Sequence, residues 1–229
     1  MSVGEGSAGN PSASLADGLI GQLVADLAPV RPLPSPLKRA MLWIGAAALL
    51  GVIIALWPTI RMSVVYERLS GSTDIWLAAL GSMLTAILAA IAAFELSLPD
   101  RRRAWALLPL PALALWIGAS GLGCLRGVVS AGLHVASLYE SMDCLAFIAS
   151  FSIPLSALMV LMLRRGYSLR PGLTGAMGGL AAAAAAATLL NLCHPFDASV
   201  TDLSVHAFAV ATVILVNRAS GGRLLAPGK

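Results

Sequence analysis

Six long apolar runs alternate with short polar connections along most of the chain. Each is close to the roughly 20 residues that an α-helix needs to cross the hydrocarbon core of a bilayer. We therefore predict an all-α fold, a polytopic integral membrane bundle whose six transmembrane helices occupy residues 40–217. Pro109, Pro111 and Pro154 predict kinks in the third and fourth of them. The predicted spans are residues 40–57, 75–98, 104–122, 144–163, 172–192 and 200–216.

A shorter apolar pattern precedes the spans. Apolar residues recur at helical spacing within residues 14–28, which predicts a short amphipathic helix with Ser14 as its cap and Asp17 in a capping box. Residues 1–13 are rich in Gly, Ser and Ala and predict a disordered tail, whereas the prolines of residues 29–39 predict a stiff linker. Residues 218–229 are the predicted C-terminal tail. The apolar stripe consists of Leu15, Leu19, Ile20, Leu23, Val24 and Leu27.

Composition supports a membrane protein and excludes several other classes. Hydrophobic residues make up 58% of the 229 residues and charged residues only 11%, with a mean hydropathy of +0.85. The net charge of +4 comes from short basic clusters beside apolar runs, which argues against direct binding of nucleic acid. A zinc-protease helix, a phosphate-binding loop and a nucleophile elbow are absent from the sequence, so we predict no enzymatic activity and no resident cofactor.

The distribution of basic residues predicts an orientation. Of the 15 Lys and Arg residues, twelve lie in the segment before span one, the second and fourth connections and the C-terminal segment. Basic residues concentrate on the cytoplasmic side of membrane proteins. We therefore predict a multi-pass protein of a bacterial inner membrane with both termini in the cytoplasm. The basic residues predicted on the outer side are Arg61, Arg68 and Arg126.

With this orientation, all three cysteines lie near the outer ends of predicted spans. Cys144 opens span four, Cys193 closes span five beside His194, and Asp202 and His206 share a face of span six because they are four residues apart. Soft metal ions prefer thiolate and imidazole ligands, and thiols oxidise in an oxidising compartment. A shared polar pocket is one interpretation. The other is structural: Asp202 caps span six, His206 bonds within the bundle, and Cys124 is a small interfacial residue.

Other interpretations remain open for the chain as a whole. A small transporter or metal permease is the alternative function, although neither paired broken helices nor a row of midplane carboxylates supports it. The amphipathic helix can lie on the membrane surface or bind a partner, and its lack of Lys and Arg favours the partner. The spacing of Gly175 and Gly179 fits packing inside the bundle or a homodimer face, and the first is favoured.

Several short motifs together resemble a known family. The chain is similar to the NrsF-type membrane anti-sigma factors over about residues 15–217, and the motifs occur in the same order and spacing. Each motif is short, so the resemblance rests on the set. The motifs are LIGQLVADLAPVRPLP at residues 19–34, LSLPDRRRAW at 96–105, GCLRG at 123–127, DCLAF at 143–147 and LCHPFD at 192–197.

The resemblance implies a regulatory function. Members of this family are expected to hold an extracytoplasmic-function sigma factor inactive through a cytoplasmic N-terminal segment, which assigns sigma binding to the apolar stripe of residues 14–28. It also links the outer cysteines to stress sensing, so we expect Cys144 and Cys193, with His194, Asp202 and His206, to respond to a heavy metal or an oxidant. A disulfide and transient capture of a soft cation both fit. The expected partners are the sigma factor and the lipid bilayer.

Overall fold

In the computed structural model, the described residues are 11–25, 33–56, 73–131, 138–193 and 200–225. The chain divides into two compact units, residues 1–33 and residues 34–229. Within the described ranges every regular element is a helix, which confirms the predicted fold class. The elements are α1 (Pro11–Ala25), α2 (Pro36–Ala55), α3 (Thr73–Leu96), a 3-10 helix (Arg103–Leu107), α4 (Leu110–Ala131), α5 (Leu138–Leu163), α6 (Pro171–Cys193) and α7 (Val200–Leu224).

Helices α2 to α7 correspond to the six predicted spans. Each is long and apolar enough to cross a bilayer. Helices α3 and α6 are mostly buried and pack against each other, whereas α2, α4, α5 and α7 leave most of their apolar surface exposed. Large exposed apolar side chains on a bundle of this kind are suited to lipid, which is as apolar as they are. Among the described residues the structure therefore confirms six candidate membrane spans.

The ends of several helices differ from the prediction. Helix α1 begins at Pro11, so Ser14 lies inside the first turns and is not the cap, and residues 11–13 do not belong to a disordered tail. Proline is well suited to the first position of a helix, because the N–H that it lacks would have no partner there. Helix α2 begins at Pro36 for the same reason, and the hydroxyl of Ser35 accepts a hydrogen bond from Lys38 N at 3.4 Å.

The last span is also longer than predicted. Helix α7 continues to Leu224, so part of the predicted C-terminal tail is helical. Hydropathy falls near Asn217, which is why the apolar pattern ended there, but the backbone continues because Asn217 and Gly221 pack against α6. Helix α5 begins six residues before the predicted span, at Leu138.

Two of the three prolines predicted to kink spans lie elsewhere. Pro109 and Pro111 fall at the start of α4, where Leu113 N donates to Pro109 O at 2.9 Å, so they begin this helix after the 3-10 helix. Pro154 lies inside α5, as predicted. It removes one backbone hydrogen bond from the middle of that helix.

Small residues bring α6 and α7 close together. A Cβ atom added to Gly179 would lie 2.8 Å from Asn217 Cβ, and one added to Gly221 would lie 3.0 Å from Gly175 Cα. Gly175 and Gly179 therefore face α7 within the bundle, which is the favoured interpretation of their spacing. Asn217 crosses to a third helix, since its Nδ2 donates to Ser156 Oγ of α5 at 3.1 Å.

We expect Gly179→Val to destabilise the bundle. The new side chain would overlap α7, and overpacking of this kind typically costs about 1–3 kcal/mol. Gly45→Val is the matched control, because a Cβ at Gly45 meets nothing within 4 Å. Thermal unfolding of the purified chain in detergent measures the difference. Equal unfolding temperatures for the two variants would contradict the close approach of α6 and α7.

Candidate functional site

Of the basic residues that the structure describes in the six-helix unit, all but one lie at one end. The starts of α2, α4 and α6 and the ends of α3, α5 and α7 share this end, which we call the arginine-rich end. The opposite end is the cysteine end, where Arg126 is the one basic residue among those that the structure describes. The described basic residues of the arginine-rich end are Lys38, Arg39, Arg101, Arg102, Arg103, Arg164, Arg165, Arg170, Arg218 and Arg223.

An ion pair joins α3 and α4 at the cysteine end. Arg126 Nη1 donates to Asp74 Oδ2 at 2.6 Å, and Gly123, one turn earlier on α4, lies beside Asp74. Both Gly123 and Arg126 belong to the GCLRG motif, so this motif contributes a helix contact. Local sequence patterns do not reveal this ion pair, because the two charges are 52 residues apart. The Arg126 side chain is mostly exposed, and the pair adds little stability where water screens it.

The packing of α5 against α6 places the positions of Cys144 and Cys193 at the same level along the bundle axis. A Cβ on Gly178 of α6 would lie 2.9 Å from Met159 Cγ of α5. Cys144 precedes Met159 and Cys193 follows Gly178 by the same number of residues, and the two helices run in opposite directions. Since both helices rise about 1.5 Å per residue, the two cysteine positions lie equally far from this contact along the bundle.

Helix α7 brings His206 to the same level, and Asp202 lies about one turn nearer the cysteine end. Helices α5 and α7 run in parallel, and Asn217 of α7 bonds to Ser156 of α5. Counting back from this contact, His206 matches the level of Cys144 to within about one residue of helix rise. His206 Nδ1 lies 2.7 Å from Asp202 O, and the side chain of Asp202 is buried in the first turn of α7. The backbone contact of His206 agrees with the structural interpretation of this residue.

A small apolar cluster lies between these three helices, about one turn further from the cysteine end. Each of α5, α6 and α7 carries a candidate sensor residue three or four positions nearer the cysteine end than a member of this cluster. These sensor residues are Cys144, Cys193 and His206. The rings of Phe147 and Phe151 pack beside it with their centroids 4.5 Å apart. The cluster consists of Ile148, Ala186, Leu190 and Ala209.

The structure does not assemble a metal centre from the residues that it describes. Within the described ranges there is no group of three His, Cys, Asp or Glu side chains that could hold a metal ion. His194 and the side chains of Cys144 and Cys193 lie outside the described part of the chain. Cys124 is buried on α4, which packs mainly against α3, so it lies on a different pair of helices from the other two cysteines.

The stripe on α1 is exposed. Leu19, Ile20, Leu23 and Val24 each have between 57% and 67% of their surface exposed. They lie within an arc of about 140° on a helix that advances 100° per residue, so they form one apolar face. Leu27 and the side chain of Leu15 lie outside the described part of the chain. The sequence therefore predicted the helix and its apolar face, and nothing in the described structure covers that face.

Two buried side chains of α2 bind the backbone of α5 near the arginine-rich end. Trp43 Nε1 donates to Leu155 O at 3.1 Å, and Arg39 Nη2 donates to Met162 O. Arg39 also lies over the ring of Phe94, with its Cζ 5.0 Å from the centroid. This arrangement is hidden in the sequence, because Arg39 lies in a cluster of basic residues before span one and has the pattern of a cytoplasmic charge. The available signal was the spacing of Arg39 and Trp43, one helical turn apart at the start of an apolar run.

A polar network closes the arginine-rich end between α3 and α6. The hydroxyls of Ser168 and Thr174 lie 2.8 Å apart and each lies 3.2 Å from Leu96 O, so one can donate to the other while the second donates to this carbonyl at the end of α3. Arg101 Nε lies 2.9 Å from Glu95 Oε2, so the carboxylate at the end of α3 pairs with the arginine cluster. These contacts fix the connections that carry the arginines.

Comparison with known families provides the assignment. The family model NrsF, described as negative regulator of sigma F, matches residues 23–226. The chain belongs to the NrsF family. The match covers all six spans and begins at Leu23 within α1, and it confirms the resemblance carried by the short motifs. Neither the curated proteins nor the solved structures include a match.

Membership of the NrsF family makes this protein a negative regulator of a sigma factor, and a sigma factor is its implied partner. That class of protein is regulatory and is not an enzyme class. The family match and the six apolar helices together describe a membrane-spanning member of the anti-sigma factors.

Proposed function

We propose that the chain is a membrane-bound anti-sigma factor that sequesters an extracytoplasmic-function sigma factor through α1. The exposed apolar face of α1 carries this proposal, since four large apolar side chains on a separate unit need a partner. An amphipathic helix that places its apolar face in a groove is a common mode of protein recognition. Purification of the tagged full chain from membranes, with the bound proteins identified by mass spectrometry, tests it. Recovery without any sigma factor would contradict the proposal.

The proposed orientation places α1 and the arginine-rich end in the cytoplasm of a bacterial inner membrane. The support is the concentration of basic residues at that end, because basic residues are retained on the cytoplasmic side during insertion. A cytoplasmic α1 has access to sigma factors, which bind RNA polymerase there. The cysteine end then faces outward, into a compartment that permits thiol oxidation.

Reporter fusions test this orientation. We expect alkaline phosphatase to be inactive when fused after Lys229 and active when inserted after Phe196, because this enzyme folds only on the outer side. A fusion of a cytoplasmic reporter after Lys229 provides the complementary measurement. The reverse pattern at both positions would contradict the proposed orientation.

We further propose that Cys144 and Cys193 are the sensory pair, assisted by His194, Asp202 and His206. The matched backbone levels of Cys144, Cys193 and His206 on α5, α6 and α7 support the proposal, because three helices then carry two cysteines and a histidine at one level along the bundle, with Asp202 about one turn further along α7. Two chemistries fit this set: a disulfide between the cysteines, or capture of a soft cation by thiolate and imidazole. Either would join α5 to α6 at the cysteine end and leave the arginine-rich end free to respond.

A further inference from the structure

The contact between α2 and α5 involves two donors on one helix face and two backbone acceptors on another. Arg39 and Trp43 are four residues apart, so both side chains project from the same face of α2. Both are almost completely buried, at 6% and 1% exposure. Their acceptors, Leu155 O and Met162 O, lie at the two ends of the last two turns of α5. We call Arg39, Trp43 and these two carbonyls the α2–α5 clasp.

Both acceptors lie in the part of α5 that follows Pro154. Leu155 directly follows Pro154, whose missing N–H removes the helical bond to Ser150 O and so interrupts the turn of α5 just before this acceptor. Met162 is the penultimate residue of α5, and Gly166 N bonds to Leu163 O instead of to Met162 O. Carbonyls in the last turn of a helix lack intrahelical partners and favour a positive charge. The clasp therefore joins α2 to both ends of the segment of α5 that follows Pro154, and at Met162 O it supplies a donor that the helix itself does not.

The same contacts fix the first turn of α2. Arg39 lies beside Ser97 Oγ at 3.5 Å and over Phe94, both at the end of α3. Ser35 and Pro36 begin α2 only four residues before Arg39, and the chain between them and α1 is the Pro-rich segment. The first turn of α2 is thus the point where α1 is joined, through that segment, to the six-helix unit. Burial of an arginine in a membrane protein is costly, so a buried one is a candidate for a function.

We propose that Arg39 and Trp43 are positioning residues that couple α5 to the N-terminal segment. Helix α5 carries Cys144 near one end and both acceptors of the clasp near the other. A displacement of α5 at the cysteine end changes the position of Leu155 O and Met162 O, and the two donors transmit that change to the base of the segment that carries α1. This proposal rests on the proposed function for its output, but the coupling itself is a property of the six-helix unit alone.

A sigma-dependent reporter in intact cells measures the output. We expect Trp43→Phe, which keeps the ring and removes Nε1–H, and Arg39→Gln to reduce the ratio of induced to repressed activity about fivefold or more, the lower range of typical allosteric coupling. Both variants should stay in the membrane at the wild-type level and retain the sigma factor. Arg39→Lys, which keeps the charge, should restore part of the ratio.

Two matched controls separate coupling from general effects. Lys38→Gln removes a charge from the same turn at an exposed position, and Trp76→Phe makes the same aromatic change at an exposed site of α3. Both should keep the full ratio. An unchanged ratio in both clasp variants would overturn the proposal. So would a loss of membrane abundance that fully accounts for the reduced ratio in both.

Hydrogen exchange of the full chain in lipid nanodiscs tests the coupling without a sigma factor. Cys144→Glu places a charge at the cysteine end of α5, and we expect it to increase amide exchange in residues 36–43 of the otherwise wild-type chain. The same change combined with Trp43→Phe should give no additional increase there. An effect of Cys144→Glu that stops before Pro154 overturns the coupling even if α1 binds its partner. Transmission to residues 36–43 with no sigma factor bound in cells would contradict the proposed function alone.

Discussion

Leu23→Asp should release the sigma factor and give constitutive expression of its target promoters. Leu23 lies on the apolar face of α1 and is 67% exposed, so the substitution leaves the six-helix unit unchanged. Removing a buried anchor from an interface commonly costs more than about 2 kcal/mol. Since 1.4 kcal/mol is a factor of ten, the dissociation constant should rise at least about thirtyfold. Co-purification from membranes and a promoter reporter measure the two consequences.

Gln22→Asp is the matched control for this prediction. It adds the same charge one residue away, on the polar side of α1, and should leave repression intact. Leu19→Asp tests whether the face acts as a whole, and we expect it to release the partner as Leu23→Asp does. Retention of the sigma factor by both leucine variants would place the binding surface elsewhere. The exposed arginines of the connections would then be the next surface to examine.

The six-helix architecture could be predicted because membrane insertion leaves a strong signal in sequence. Every backbone polar group in hydrocarbon needs an internal partner, so each long apolar run must be a helix. The contrast between the basic connections and the cysteine end was visible for the same reason. The ends of the helices were less predictable: α7 continues past Asn217 because Gly175 and Gly221 permit contact there, and that contact depends on the partner helix.

The internal contacts depend on helix pairing, which local patterns do not reveal. Arg39 was grouped with exposed cytoplasmic charges, yet its guanidinium is buried between α2, α3 and α5. The ion pair between Asp74 and Arg126 was missed for the same reason. The level shared by Cys144 and Cys193 becomes visible only once contacts such as that of Met159 with Gly178 set the register of the helices.

Replacing both Cys144 and Cys193 by Ser should abolish induction while leaving repression intact. The proposed signal must stabilise one arrangement of the bundle over another, because a ligand that binds both equally shifts neither. Without the two thiols that difference is lost. Allosteric couplings typically change affinity by about 5- to 150-fold. In the double variant we expect no induction at all, because the signal no longer changes the affinity for the sigma factor. The reporter is followed with an added soft cation such as cadmium and, separately, with a thiol oxidant.

The single variants distinguish the two chemistries. A disulfide needs both sulfur atoms, so Cys144→Ser and Cys193→Ser should each abolish the response to the oxidant completely. Capture of a soft cation can continue more weakly with one thiolate and a nearby imidazole, so each single variant should need more cadmium to give the same response. Cys124→Ser is the control, since Cys124 is buried on α4 away from this pair of helices. An induction curve that is unchanged in the double variant would exclude the sensory role of both cysteines while leaving the anti-sigma assignment intact, because α1 and the family match do not depend on them.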